Sequence, residues 1–250
     1  MKTIRFSSKS DEQYAWLSNF EPSPIVDLNG YVWPTAEHCY QAARTTGKER
    51  EVIRLAETPD RAKRLGQKCS VRSDWDDVKI EVMRRILVAK FTQNPEFYTL
   101  LRDCEGMELV ECAPWDDGGD GNGQNHLGKL LMQLRDQWLE EEPTMVVNIK
   151  RVPGAEYIGR AGRGMDGYFG NPIRRGQRCN SCGMNHTYFG QTIPCFARYF
   201  HQRLRNDPDF KEAVLQLKGA KLGCFCKTKS GVGNPCHGDV ISLWLNNHVD

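Results

Sequence analysis

The chain has 250 residues, enough for one large domain or two modest ones, and its 39% hydrophobic and 26% charged content excludes long disorder and fibrous repeats. No apolar run approaches a membrane span, and the opening MKTIRFSSKSDEQ lacks the apolar core of a secretory signal, so a cytoplasmic protein with no membrane partner is expected. The net charge of +2 hides an asymmetry: residues 1–142 hold 19 Lys and Arg against 25 Asp and Glu (net −6), residues 143–250 hold 15 against 7 (net +8), and the basic half suits a polyanionic partner such as nucleic acid or a phosphorylated ligand.

Thr35 is a helix-cap residue before AEHCYQAAR, and Pro59 suits the first turn of a helix over DRAKRLGQK. From Asp74 to Phe91, Val78, Val82, Ile86 and Phe91 lie along one helical face, with acids early and Arg84, Arg85 and Lys90 late, as the helix dipole favours. A short helix runs from Pro95 to Leu101, a strand over Met107–Cys112, and an amphipathic helix over His126–Leu139. Three acids and Pro143 then stop the helix before a β-branched run starts near Met145, which divides the chain into units 1–142 and 145–250. The second unit reads as a strand over Val146–Lys150, glycine-rich turns from Gly154 to Gly176, helices from Pro194 and Pro208, a strand over Lys221–Cys226, and a helix over Gly238–Asn247. The fold class expected is α+β: a mainly helical first domain with few short strands, then a small α/β domain.

Two segments of the first unit carry candidate chemistry. In Trp33-Pro34-Thr35-Ala36-Glu37-His38-Cys39-Tyr40-Gln41, a cap at Thr35 puts Glu37 in the first turn, where the positive helix end favours a carboxylate; that role alone is structural, and His38 suits a core hydrogen bond. Trp16, Trp33, Tyr40 and Trp115 offer flat surfaces that stack on bases or fill a core. In Trp115 through Gly128, four glycines within Gly118–Gly123 permit close backbone approach to a ligand and lead into a helix start, although Gly, Asp and Asn also build plain surface turns.

These motifs, with Leu17-Ser18-Asn19-Phe20, Ala89-Lys90-Phe91 and Leu130-Leu131-Met132-Gln133-Leu134-Arg135, closely resemble the NADAR, or YbiA-like, family over roughly residues 3–140. The resemblance implies an N-glycosidase that hydrolyses a ribose–base bond, either in phosphorylated intermediates of riboflavin synthesis or in ADP-ribosylated guanine of a nucleotide or DNA. An oxocarbenium-like transition state calls for a carboxylate beside the anomeric carbon, and Glu37 is the candidate. Asp117 or Glu111 would orient water or protonate the leaving base; Trp115 would stack on base or sugar; Asn125 would meet a ribose or base edge; Lys90 and Arg44 would meet phosphates. Asn19, Phe20, Trp33, Tyr40 and Gly118 complete the implied substrate contacts. The chemistry calls for no cofactor. Trp115-Asp116-Asp117-Gly118 departs from the family's Trp-Gly pattern, and Asp116, Asp117 and Asp120 would repel a phosphate unless they face ribose hydroxyls. The competing reading is a sensor that binds ADP-ribose or a related nucleotide without turnover.

Ten cysteines without a secretory signal read as reduced thiols, some of them metal ligands. Cys179 and Cys182 form a C-x₂-C half-site for a structural zinc, to be completed from His186, Cys195, Cys224, Cys226, Cys236 and His237. The alternative is buried reduced thiol packed as a small hydrophobe, which applies in any case to Cys39, Cys69, Cys104 and Cys112. Val147-Asn148-Ile149, Gly170-Asn171-Pro172, Leu222 through Cys226 and Cys236-His237-Gly238-Asp239-Val240 resemble an uncharacterised domain family of bacteria and phages, a source that would fit this chain. That pattern lacks the Cys179–Cys182 pair, which reads as an insertion. Arg160, Asn171, Cys226, His237 and Asp239 are candidates to line a nucleotide-sized pocket, and a zinc-stapled nucleic-acid-binding module is the third reading of the chain.

Overall fold

The computed structural model describes residues 2–8, 12–112, 123–162, 164–227 and 234–248. They form an α+β protein of two compact units, in line with the expected class. One unit comprises Met1–Pro24, Trp33–Phe91 and Glu96–Glu141, the other Ile25–Val32, Thr92–Pro95 and Glu142–Asp250, so that two pieces from before residue 142 belong with the later residues. Among the described residues no helix is long and apolar enough to cross a membrane.

The first unit is built on strands β1 (Thr3–Phe6) and β4 (Glu108–Glu111), which pair in parallel with Thr3 opposite Glu108 and Phe6 opposite Glu111. Its helices are α1 (Ala36–Ala43), α2 (Glu49–Arg54), α3 (Pro59–Lys68), α4 (Trp75–Gln93), α5 (Pro95–Arg102) and α6 (His126–Glu140). The expected cap forms, with the Thr35 hydroxyl accepting from the His38 amide at 3.3 Å; Pro59 opens α3 as expected, and Thr58 ahead of it adds a second cap, accepting from the Arg61 amide at 3.2 Å. Helix α4 differs from its expected single stripe. Val78 and Val82 are only half-buried, while every residue from Ile86 to Asn94 is buried, because the C-terminal half of the helix runs through the core and has no solvent face. Trp16 and Trp138 pack on Phe91, with ring centroids 6.2 and 6.3 Å away. Buried Arg135 donates to the carbonyls of Cys104 and Met107 at 2.8 and 2.6 Å, satisfying the turn between α5 and β4.

The second unit holds a parallel sheet in the order β5 (Met145–Asn148), β7 (Lys221–Cys224), β6 (Glu156–Tyr157). Around it lie α7 (Ile193–Asn206), α8 (Pro208–Leu215) and α9 (His237–Asn247), and the core includes Val146, Ile158, Phe196, Phe200, Leu222 and Val240. Strands β2 (Ile25–Val26) and β3 (Val32–Trp33) flank a turn in which the Asp27 carboxylate accepts from the amides of Asn29 and Tyr31, each at 2.9 Å. Gly30, at φ +80°, passes so close to the Ile193 backbone that a Cβ would overlap it. The Leu28 carbonyl meets His201 Nε2 at 2.8 Å, and the Gln93 amide bonds both the N–H and the carbonyl of Val26 at 2.7 and 2.8 Å.

Candidate functional site

Glu37, Tyr40, Gln41 and Arg44 fall at i, i+3, i+4 and i+7, one face of α1 and its C-cap. Glu37 is buried, its amide donates to the Asn19 carbonyl at 3.0 Å, and its Oε1 accepts from Gln41 Nε2 at 2.8 Å. Gln41 was in the recognised motif without a role; its spacing of four residues from Glu37 was the signal. Gly66 of α3 lies directly against Gln41, so that a Cβ there would collide with the Gln41 side chain. His38 serves structure: its ring nitrogens contact Thr35 Oγ1 at 2.8 Å and the Ala56 carbonyl at 3.1 Å, and burial lowers its pKa.

Lys90 is not positioned as an exposed phosphate ligand. Its side chain is fully buried, Nζ donates to the Ser18 carbonyl at 2.6 Å, and burial, opposed by the charge of Glu21, lowers its pKa to about 7. Lys90 thus holds residue 18 while α1 holds residue 19, and between them they fix the Ser18–Asn19 segment beside Glu37. Asn19 Nδ2 donates to Met83 Sδ at 3.3 Å. Among the described residues, Asn19 Oδ1, Gln41 Oε1 and Arg44 Nε are buried with no hydrogen-bond partner.

The expected aromatic platforms divide. Trp16 and Trp33 are buried core residues, 7% and 2% exposed, and present no stacking face; Tyr40 is half-buried against Trp75, with centroids 5.1 Å apart. Phe20 is half-buried beneath Lys63 Nζ, 5.6 Å from the ring centroid. Trp115, Asp117 and Gly118 lie outside the described residues. The flanks of that segment are tied together: Asn125, at φ +50°, donates from Nδ2 to the Leu109 carbonyl at 2.8 Å and accepts at Oδ1 from the Glu111 amide at 3.0 Å. These bonds tie the Asn125 side chain, the expected contact for a ribose or base edge, to β4. Gly128 makes the approach of α6 feasible, since a Cβ would overlap the Leu109 carbonyl and the Asn125 amide.

The model of the NADAR domain matches residues 5–139. The chain belongs to the NADAR family. A second model, a domain of unknown function (DUF4326), matches residues 132–247. The N-glycosidase YbiA of Escherichia coli K12 is 45% identical over 141 residues, spanning 54% of this chain and 87% of that protein. A chloroplastic riboflavin biosynthesis protein of Zea mays is 37% identical over 156 residues, 54% of this chain but 25% of its own length, and a riboflavin biosynthesis protein of Vibrio vulnificus is 38% identical over 144 residues, covering 55% and 39%. The NMR structure of E. coli YbiA shares 42% identity over 56% of this chain and 86% of that one, with a TM-score of 0.50. The NADAR match encloses every expected catalytic and substrate residue, from Asn19 to Asn125.

In the second unit the eight candidate zinc ligands do not converge at one point. Cys179 and Cys182 meet His186 and Cys195, whereas Cys224, Cys226, Cys236 and His237 form a separate group, and within each group the donor atoms all lie within 4.8 Å of one another. Either group could hold a metal. Cys224 ends β7, Cys226 lies in the turn that follows, and Cys236 caps α9. The Cys226 and Cys236 thiols hold the Cys224 thiol far below its ordinary range. A cavity of about 260 Å³ is lined by Tyr157, Arg160, Asn171, Phe225, Cys226 and His237, among others. It brings together four of the five expected pocket residues. Asp239 is instead buried in an ion pair with Lys227 at 2.7 Å. Arg160 is already spent on backbone, donating to the carbonyls of Asn171 and Ile173 at 2.7 and 2.6 Å.

Proposed function

We propose that this hydrolase of N-glycosyl compounds cleaves the bond between ribose C1 and a base nitrogen in a nucleotide-like substrate, with residues 1–142 as the catalytic domain and Glu37 as the catalytic carboxylate. The observation that carries the reading is the α1 face: a buried carboxylate held by Gln41, with unpartnered buried polar atoms on Asn19, Gln41 and Arg44 around it. Buried polar groups of this kind are normally satisfied, and a bound sugar phosphate supplies both donors and acceptors.

In the reaction, the C–N bond breaks with its electron pair leaving on the base nitrogen, and C1 acquires positive charge that Glu37 stabilises. Water adds to C1 and loses a proton to Glu37, while a second acid, Asp117 or Glu111, protonates the departing base. Arg44 supplies positive charge for a phosphate. Lys90 acts one step back, by fixing the Ser18–Asn19 segment. The names of the maize and Vibrio relatives support phosphorylated ribosylaminopyrimidines as substrate, and the basic second half supports ADP-ribosylated guanine carried on a polyanion such as DNA. A product screen tests both. The full chain is incubated with each candidate and assayed by mass spectrometry for free base. Release from either is expected; binding without release from any of them would establish the sensor reading instead.

A further inference from the structure

We propose that the second unit binds two zinc ions, one at Cys179, Cys182, His186 and Cys195 and the other at Cys224, Cys226, Cys236 and His237. Each set is Cys₃His, a donor combination that takes zinc in tetrahedral geometry with all four positions filled. Bond lengths to zinc set the edges of such a tetrahedron at about 3.8 Å between sulfurs and about 3.5 Å between sulfur and nitrogen. In the first set His186 Nε2 lies 3.4 Å from both Cys182 Sγ and Cys195 Sγ. In the second, Cys224 and Cys226 sulfurs are 3.4 Å apart, and Cys236 Sγ is 3.6 Å from His237 Nδ1.

The surroundings of each set are those of a metal shell. Cys179 and Cys182 sit in a tight turn closed by the Gly183 amide on the Cys179 carbonyl at 2.7 Å, with Gly183 at φ +74°, so that both thiols face one point. Arg198 donates to Cys195 Sγ at 3.1 Å and offsets thiolate charge. His237 Nε2 is engaged by the Ile158 carbonyl at 2.7 Å, which fixes the ring and leaves Nδ1 aimed at the cysteines. Cys236 lies at the positive end of α9, and the fully buried Lys227 ammonium, paired with Asp239, adds positive charge beside the second set. Three thiols and an imidazole converge twice within one unit. Packing of small apolar side chains would not require that.

The test uses the full chain expressed in zinc-supplemented medium and purified without chelator. Elemental analysis is expected to give two zinc ions per chain, falling to one in Cys182→Ser and to one in Cys226→Ser. Titration of the native wild type with a mercurial counts the ions without any variant, and two equivalents of zinc should be released as the thiols are consumed. One zinc or none in the wild type, by either count, overturns the proposal, as does retention of both ions in either variant.

Discussion

Lys90 gives the stability of the first unit a pH dependence whose sign and size follow from its burial. Its ammonium has a pKa of about 7 in the fold against an ordinary 10.5, because burial removes the charged form from water. Below pH 7 both folded and unfolded chains hold the proton and the penalty is constant. Between 7 and 10.5 the unfolded chain holds a proton that the folded chain does not require, so stability rises with pH. From these two values the penalty falls from roughly 4 kcal/mol at pH 7.5 to roughly 1 kcal/mol at pH 9.5, a gain of about 2–3 kcal/mol. Other groups also titrate over this range, and Lys90→Met, which keeps the length of the side chain without the charge, removes this titration alone, together with the pH-independent hydrogen bond to the Ser18 carbonyl. Denaturant unfolding followed by tryptophan fluorescence suits the measurement, since five of the six tryptophans (16, 33, 75, 115 and 138) lie before residue 142. The stability of Lys90→Met relative to wild type should fall by about 2–3 kcal/mol from pH 7.5 to 9.5. A relative stability that is flat, or that rises with pH, refutes the assignment of a buried, weakly basic Lys90.

Two glycines test the close approaches around the site. Gly66→Ala drives a Cβ into Gln41, and overpacking of this kind costs about 1–3 kcal/mol; the turnover number should fall at least tenfold by displacement of Gln41 from Glu37, read by base release under substrate saturation. Gly128→Ala pushes α6 from β4 and breaks the bonds of Asn125 to Leu109 and Glu111. A loss of about 1–3 kcal/mol in denaturant unfolding is expected, with weaker substrate binding by calorimetry.

Much of the fold was legible because its signals are local. The Thr35 cap, Pro59, Pro194 and Pro208 at helix starts, and the β-branched run of β5 each announce an element within a few residues. Strand β1 went unread because TIRF is four residues long and completed only by a partner more than a hundred residues away. The turn between β2 and β3 carries the hairpin signal Asn29-Gly30, yet its membership of the second unit depends on His201, Ile193 and Gln93, which no local pattern announces. The site divides in the same way. Glu37 and its i+4 partner Gln41 lie on one helix and share its period, whereas the burial of Lys90 and Trp33 and the commitment of Asn125 to β4 are tertiary facts. A lysine, a tryptophan and an asparagine in a ligand-binding motif read alike whether they face the ligand or hold the frame. The cysteines pair by proximity in space: Cys195 on α7 completes the set begun at Cys179, across a gap too irregular to read from spacing.

Glu37→Gln tests the central claim most directly. The amide is nearly isosteric and its oxygen can still accept from Gln41 Nε2, so the fold should survive, while the charge that stabilises cationic C1 is gone. Under single-turnover conditions with a substrate identified by the product screen, base release should fall by roughly 10²–10⁴-fold, with ligand affinity by calorimetry within a few-fold of wild type. Release at the wild-type rate by a folded Glu37→Gln protein would remove Glu37 from the chemistry and contradict the account.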